Sequence, residues 1–172
     1  DITIYTDEDC GYDASVAATG DVTDESDACS FEIQAIFTDV TEDGPCEGSH
    51  VITRTWSLDD DCGNAASAQV QTITVSDNTA PNAVCQDVTI EFDAYGNASI
   101  TAEDVDNGSS DNCSEVTISA EPTEFDCSNL GGNTVTLTVT DDCGNSSTCT
   151  ATVTVIVPLE WRCHNDEKVI FC

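Results

Sequence analysis

The chain has 172 residues, with 34 acidic against three basic side chains and a formal charge of −31. No basic surface exists to displace counterions from phosphates, which excludes nucleic acid and disfavours anionic membranes. No apolar run approaches the roughly 20 residues of a membrane span, so no membrane insertion is expected. The charge favours solubility and cations as partners.

Eleven cysteines are spread along the chain, without a tight Cys-x-x-Cys pair and beside only two histidines. That pattern points to an oxidising compartment rather than to a cytosolic zinc or redox protein. No signal peptide is visible, so a secreted chain is expected to be numbered from its mature end or to be a processed piece.

In chain order, Ile2 and Ile4 open an alternating run, and a turn follows at Asp43-Gly44-Pro45. Trp56 takes the inward phase with Leu58. Arg54 shares that phase and needs an acid partner or the strand's end. Asp-Asp-Cys-Gly-Asn stands at 60–64, followed by alternating Ile73 and Val75. Residues 77–81 read as a linker.

The pattern then repeats. Val88 and Ile90 alternate, and turns are marked by Tyr95-Gly96-Asn97, Asn107-Gly108 and Leu130-Gly131-Gly132-Asn133. Val135, Leu137 and Val139 alternate with threonines, Asp-Asp-Cys-Gly-Asn returns at 141–145, and Ala151, Val153 and Val155 alternate again. Asp1-Ile-Thr-Ile matches Asp87-Val-Thr-Ile, and Ser26-Asp-Ala-Cys matches Ser110-Asp-Asn-Cys. A period slightly above 80 residues is a duplicated module. Period-two threonine and aliphatic residues make half-buried strands. The expectation is all-β: two antiparallel β-sandwich modules at 1–76 and 82–157, with a tail at 158–172.

The copies differ at their starts. Module 2 has Ala83-Val-Cys-Gln ahead of its Asp-Val-Thr-Ile strand, whereas module 1 starts directly at that strand. The first strand of module 1 is therefore expected to be short or missing. The tail carries a candidate donor strand, Lys168, Val169, Ile170 and Phe171. A sandwich without an edge strand exposes backbone donors and acceptors that a neighbour's strand can pair. Repetition of that contact makes a filament.

Thr79-Ala-Pro-Asn-Ala-Val-Cys-Gln-Asp-Val-Thr-Ile90, Ser110-Asp-Asn-Cys113, Thr134–Asn145 and Ser147–Val155 closely resemble hyalin-repeat-like (HYR-like), immunoglobulin-type modules of secreted bacterial surface proteins. The resemblance implies two tandem Ig-like sandwiches at the cell surface. It is weak for function, since such modules serve as spacers, adhesins and fibre parts. The parallel first and last strands of that fold imply a Cys85–Cys149 disulfide. Comparison with the family's commoner version implies Cys113–Cys127. Transfer to module 1 gives Cys29–Cys46 with Cys10–Cys62, or alternatively Cys29–Cys62 with Cys10–Cys46. Cys163 and Cys172 would close the tail. Cys143 is left odd, either free or bonded to another subunit.

Asp77, Asp104, Asp106, Asp111 and Asp141 are expected to converge where the linker enters module 2 and to offer hard oxygens to Ca²⁺. Asn97, Asn107, Asn112 and Asn145 each begin a glycosylation sequon. Carboxylate pairs are too common here to mark a glycosidase. His50 and His164 suit no nucleophile, so no enzyme is expected. The sequence thus predicts a structural subunit of an extracellular fibre that joins copies of itself head to tail. The runner-up is an adhesin fragment that recognises glycans or surface proteins.

Overall fold

The computed structural model of the chain describes residues 1–23, 25–26 and 33–158. Cys29 and the tail residues Cys163, Lys168, Val169, Ile170, Phe171 and Cys172 lie outside the described residues. The chain forms two compact units. Unit 1 comprises Asp1–Thr79 with Asn112–Ser114, and unit 2 comprises Ala80–Asp111 and the chain from Glu115 on.

Unit 1 is built on strands β1 (Ile2–Tyr5), β2 (Ile36–Asp43), β3 (His50–Ser57) and β4 (Gln69–Ser76), with a four-residue helix α1 (Val16–Thr19) after β1. They form one sheet in the order β1-β4-β3-β2. The first strand runs parallel to the last, with Ile2 opposite Ile73 and Tyr5 opposite Ser76. The other two pairings are antiparallel.

Unit 2 repeats the plan. Strands β5 (Val88–Glu91), β7 (Thr117–Glu121), β9 (Gly131–Thr140) and β10 (Ser146–Ile156) form a sheet in the order β5-β10-β9-β7. β5 is parallel to β10, with Val88 opposite Val153. The short strands β6 (Ala98–Ser99) and β8 (Glu124–Phe125) pair with each other, and helix α2 spans Ala102–Val105. The architecture is nearly all β, with the sheets packed as a sandwich.

The inward phase read from the alternation is the buried one. Val135, Leu137, Val139, Val153 and Val155 are fully buried in unit 2, packed with Phe92, Ile100, Val105, Phe125 and Ala151. Among the described residues, unit 1 has a smaller aliphatic cluster, Ile52, Ile73 and Val75, flanked by Ile2, Ile4 and Ala14. Trp56 is also buried.

Charge replaces aliphatic packing in the rest of that core. Arg54 is 1% exposed. Its Nε donates to Asp39 Oδ1 at 2.8 Å and its Nη2 to Asp39 Oδ2 at 2.8 Å, a bidentate fork. Nη1 donates to Thr19 Oγ1 at 2.8 Å, and Nη2 also to the Ala14 carbonyl at 2.6 Å. The guanidinium lies 4.2 Å from the centroid of the Phe37 ring, and Phe37 packs 5.1 Å from Trp56. The acid partner that Arg54 requires is therefore Asp39, directly opposite it on β2. The Arg54 hydrogen bonds hold the Asp39 carboxyl below its usual value.

Arg54 is buried and Asp39 is exposed, so removal of Asp39 strands the buried guanidinium. Asp39→Ala is expected to destabilise unit 1 by about 3 kcal/mol in urea unfolding. Asp39 has a lowered folded pKa, so its contribution is complete above the usual carboxylate value of 3.8 and is lost as pH falls below it. Unit 1 of Asp39→Asn should accordingly lose less stability than wild type on acidification below that value.

Candidate functional site

Three features with binding potential emerge: the edge where strands enter each sandwich, the acidic loops, and the cysteines. In unit 2 the segment ahead of β5 is ordered by backbone pairing. Asn82 and Ser110 bond reciprocally, Asn107 N donates to Val84 O at 2.9 Å, and Gln86 N donates to Val105 O at 2.9 Å. Cys85 forms an antiparallel bridge with Asp106. Ala83 and Cys85 pack against the core. Residues 82–86 are thus held ahead of β5 by two isolated bridges and by backbone hydrogen bonds.

The repeat locates the counterpart in unit 1. Ser26 matches Ser110, so Val22 and Thr23 match Asp106 and Asn107. Ile2 pairs Ile73 as Val88 pairs Val153, and Trp56 pairs Gln69 as Leu137 pairs Cys149. Among the described residues, Asp21–Thr23 carry no strand pairing. The edge strand β2 is exposed along all eight residues, with Ile36 67% and Val40 61% exposed.

The acidic residues close turns. In Asp141–Asn145, Asp141 N donates to Asn145 O, and Gly144, with φ 91°, donates to Asp141 O. Asp141 Oδ1 accepts from Asn145 N and Oδ2 from Asn145 Nδ2, both at 2.8 Å. Asp60–Asn64 repeats every one of these bonds, with Gly63 at φ 84°. The Asn64 side-chain bond lowers the Asp60 pKa.

The backbone geometry recurs at Asp93–Asn97 and at Asp7–Gly11. Cys10 holds the positive-φ position there, at 60°. The positive φ suits glycine and costs other residues about 1–2 kcal/mol. The sequence signal was an Asp followed by Gly-Asn three and four residues later. It marks the turn itself, a role not read from the sequence.

Of the five expected calcium ligands, Asp104 accepts from Thr101 N at 2.7 Å and caps helix α2. Asp106 accepts from Gly108 N and Ser109 N, both at 3.1 Å, and its pKa is lowered chiefly by Ser109. Asp141 is buried in its turn. Asp111 is half-buried beside Ser110, the partner of Asn82. Ser147 Oγ donates to Pro81 O, so the loop at 106–111 and the turn at 141–145 share the end of unit 2 where Pro81 lies. Asp77 belongs to unit 1, is 4% exposed, and accepts from Thr6 Oγ1 at 3.2 Å and Thr79 N at 3.0 Å.

Among the sequons, Asn97 and Asn107 are exposed. Asn112 Nδ2 donates to Asp7 O at 3.0 Å and Asn145 Nδ2 to Asp141, so both nitrogens are engaged in the fold. Unit 2 also has an open cleft of about 800 Å³ lined by Glu91, Asp93, Asn97, Glu124, Phe125 and Asp126. Tyr95, 89% exposed, lies in the adjoining turn.

The disulfides correct the sequence reading. Cys85 is joined to Cys149, but Cys10 is joined to Cys113. That overturns Cys113–Cys127, Cys10–Cys62 and Cys10–Cys46. Cys46, Cys127 and Cys143 are half-cystines too, and Cys62 is a free, exposed thiol, which overturns Cys29–Cys62 and the odd Cys143.

Strand direction explains the change. Parallel pairing puts Tyr5 beside Ser76, so Cys10 follows the C-terminal end of β4, while Cys62 precedes its N-terminal end. Eight strand residues span about 26 Å, far beyond the roughly 7 Å limit between bridged Cα atoms. Cys113 precedes Thr117, opposite Thr140 at the end of β9, whereas Cys127 precedes the start of β9. Gly48 lets the Cys10–Cys113 bond pack closely, since a Cβ there would meet Cys113 Cβ at 2.9 Å and Cys10 Sγ at 3.0 Å.

No protein-family model matches the chain. No curated protein matches it either. Among solved structures, the chain is similar to human mucin-like protocadherin EC1-2, at 12% identity and a TM-score of 0.39, over 92% of this chain and 96% of that one. It is also similar to the fibronectin(III)-like modules of Clostridium thermocellum CbhA, at 12% identity and a TM-score of 0.31, over 72% and 68% of the two chains. The human desmocollin-1 ectodomain matches at 9% identity and a TM-score of 0.26, over 74% of this chain and 34% of that one.

Two measurements check this site. Asp141→Ala removes a charged acceptor and should cost about 2 kcal/mol, a fall of roughly 10 °C in the melting of a unit this size. Asp141→Asn, which keeps an acceptor, should fall less. A maleimide added to the folded, unreduced protein should label Cys62 and leave Cys85 and Cys149 unlabelled in peptide mapping.

Proposed function

We propose that the chain is a structural subunit of an extracellular assembly, joined to copies of itself by strand addition and stabilised by disulfides. The observation that carries this reading is in unit 1: its edge strand β2 is exposed along all eight residues, and among the described residues Asp21–Thr23 carry no strand pairing. In this reading a strand of a second copy pairs with that exposed backbone. Disulfides persist in oxidising compartments, and no helix among the described residues is long and apolar enough to cross a membrane. Both fit placement outside the cell.

Calcium belongs to the proposal as a stiffener of the acidic end of unit 2. Asp106, Asp111 and Asp141 lie at that end, and a carboxylate oxygen that accepts one hydrogen bond keeps a lone pair for a cation. Glycans at Asn97 and Asn107 are also part of it, because both asparagines are exposed. A second reading, an adhesin that recognises glycans, is favoured by the open acidic cleft beside Tyr95.

Electron microscopy and sedimentation of the full chain separate the two. The fibre reading expects head-to-tail polymers that grow as salt rises, since screening weakens repulsion between copies of charge −31. Discrete monomers at every salt concentration, with binding on a glycan array, would select the adhesin. A melting temperature unchanged by chelator would remove calcium from the account.

A further inference from the structure

Among the described residues, strand β2 pairs only with β3, so one side of its backbone is open. Such edges invite pairing with another chain, and folded proteins blunt them with short length, proline or lysine. The equivalent edge of unit 2, β7, is five residues long and is followed by Pro122. β2 has eight residues and contains no proline, lysine or glycine. Phe37 and Asp39 lie on its inward face, opposite Trp56 and Arg54. Ile36, Thr38 and Val40 therefore lie on the outward face, where Ile36 and Val40 are well exposed.

We infer that β2 pairs antiparallel with β2 of a second copy, about a two-fold axis through Thr38. The inference rests on the assembly reading above, whose head-to-tail contact it leaves at Thr23, and it names the strand that β2 receives. The contact is isologous, so it closes and joins two chains side by side. A two-fold axis normal to the sheet keeps both inward faces on one side, so even-numbered residues face even and odd face odd. Centred on Thr38, it sets Ile36 against Val40 of the second copy and Val40 against Ile36, with Cβ atoms about 4.5–5.5 Å apart. Gln34, a side-chain donor, meets Glu42, and Phe37 meets Asp39. Each inward row then runs Arg54, Asp39, and Phe37 and Trp56 of the second copy. No acid stands opposite another acid. The two Asp39 carboxylates are diagonal to each other, and each is already held in the fork of its own Arg54. Centring on Asp39 would set that carboxylate against itself, and centring on Thr41 would set it against Asp43. Centring on Phe37 or Val40 would part Ile36 from Val40.

The test is a cross-link in the full chain. Thr38→Cys, in a Cys62→Ser background, puts the introduced thiols about 4.5–5.5 Å apart at Cα, within the span of a disulfide. Oxidised in air, with oxygen taking the two electrons and two protons, this variant should run as a dimer on a non-reducing gel. Thr41→Cys in the same background, opposite Ala35, should not. Val40→Lys added to the Thr38→Cys variant removes two cross-strand contacts and should slow the cross-link roughly tenfold. It does so while lowering the net negative charge, so general repulsion would move the rate the other way. A wild type that sediments as a monomer at every concentration overturns the assembly reading and this inference together. Assembly without the Thr38→Cys cross-link overturns the β2 pairing and leaves the assembly reading standing. So does equal cross-linking of Thr41→Cys, or a rate that Val40→Lys does not change.

Discussion

The backbone pairing of residues 82–86 with 105–110 is the contact on which the rest turns. Backbone amides and carbonyls demand partners wherever they are covered. In unit 2 that demand is met by a segment that is not one of the sheet's own strands. The same segment covers the core through Ala83 and Cys85 and delivers Cys85 to Cys149.

The two units reach stability by different means. Unit 2 packs ten buried hydrophobic residues, with Val135 and Leu137 at its centre. Unit 1 places Arg54 and Trp56 at the equivalent strand positions and, among the described residues, clusters three buried aliphatics. Its core is organised by a fork of charged hydrogen bonds to Asp39, with Thr19 of helix α1 and the Ala14 carbonyl completing the guanidinium's partners. Such networks have demanding geometry and add little net energy over a hydrophobic core. A small apolar area and a polar centre make a unit more dependent on cross-links.

The alternation of threonine with aliphatic residues made the strands legible, because one buried face imposes period two. The partner of Arg54 was legible as a need, since a buried guanidinium cannot stay unpaired, but Asp39 could be named only from the register of β2 on β3. The Asp-Asp-Cys-Gly-Asn repeat was visible, yet its meaning was not. Its first Asp and last Asn close the turn, and the cysteine between them is free to differ, bonded at Cys143 and free at Cys62. Disulfide connectivity was the least legible feature. Spacing along the chain does not say at which end of a sheet a loop emerges, and ends about 26 Å apart cannot be bridged.

Amide hydrogen exchange at Thr23, followed as protein concentration rises, tests the central claim most directly. The account predicts that this amide becomes protected as copies assemble, while Asn107, already bonded to Val84, is protected at every concentration. Exchange at Thr23 that does not change between dilute and concentrated protein would contradict it.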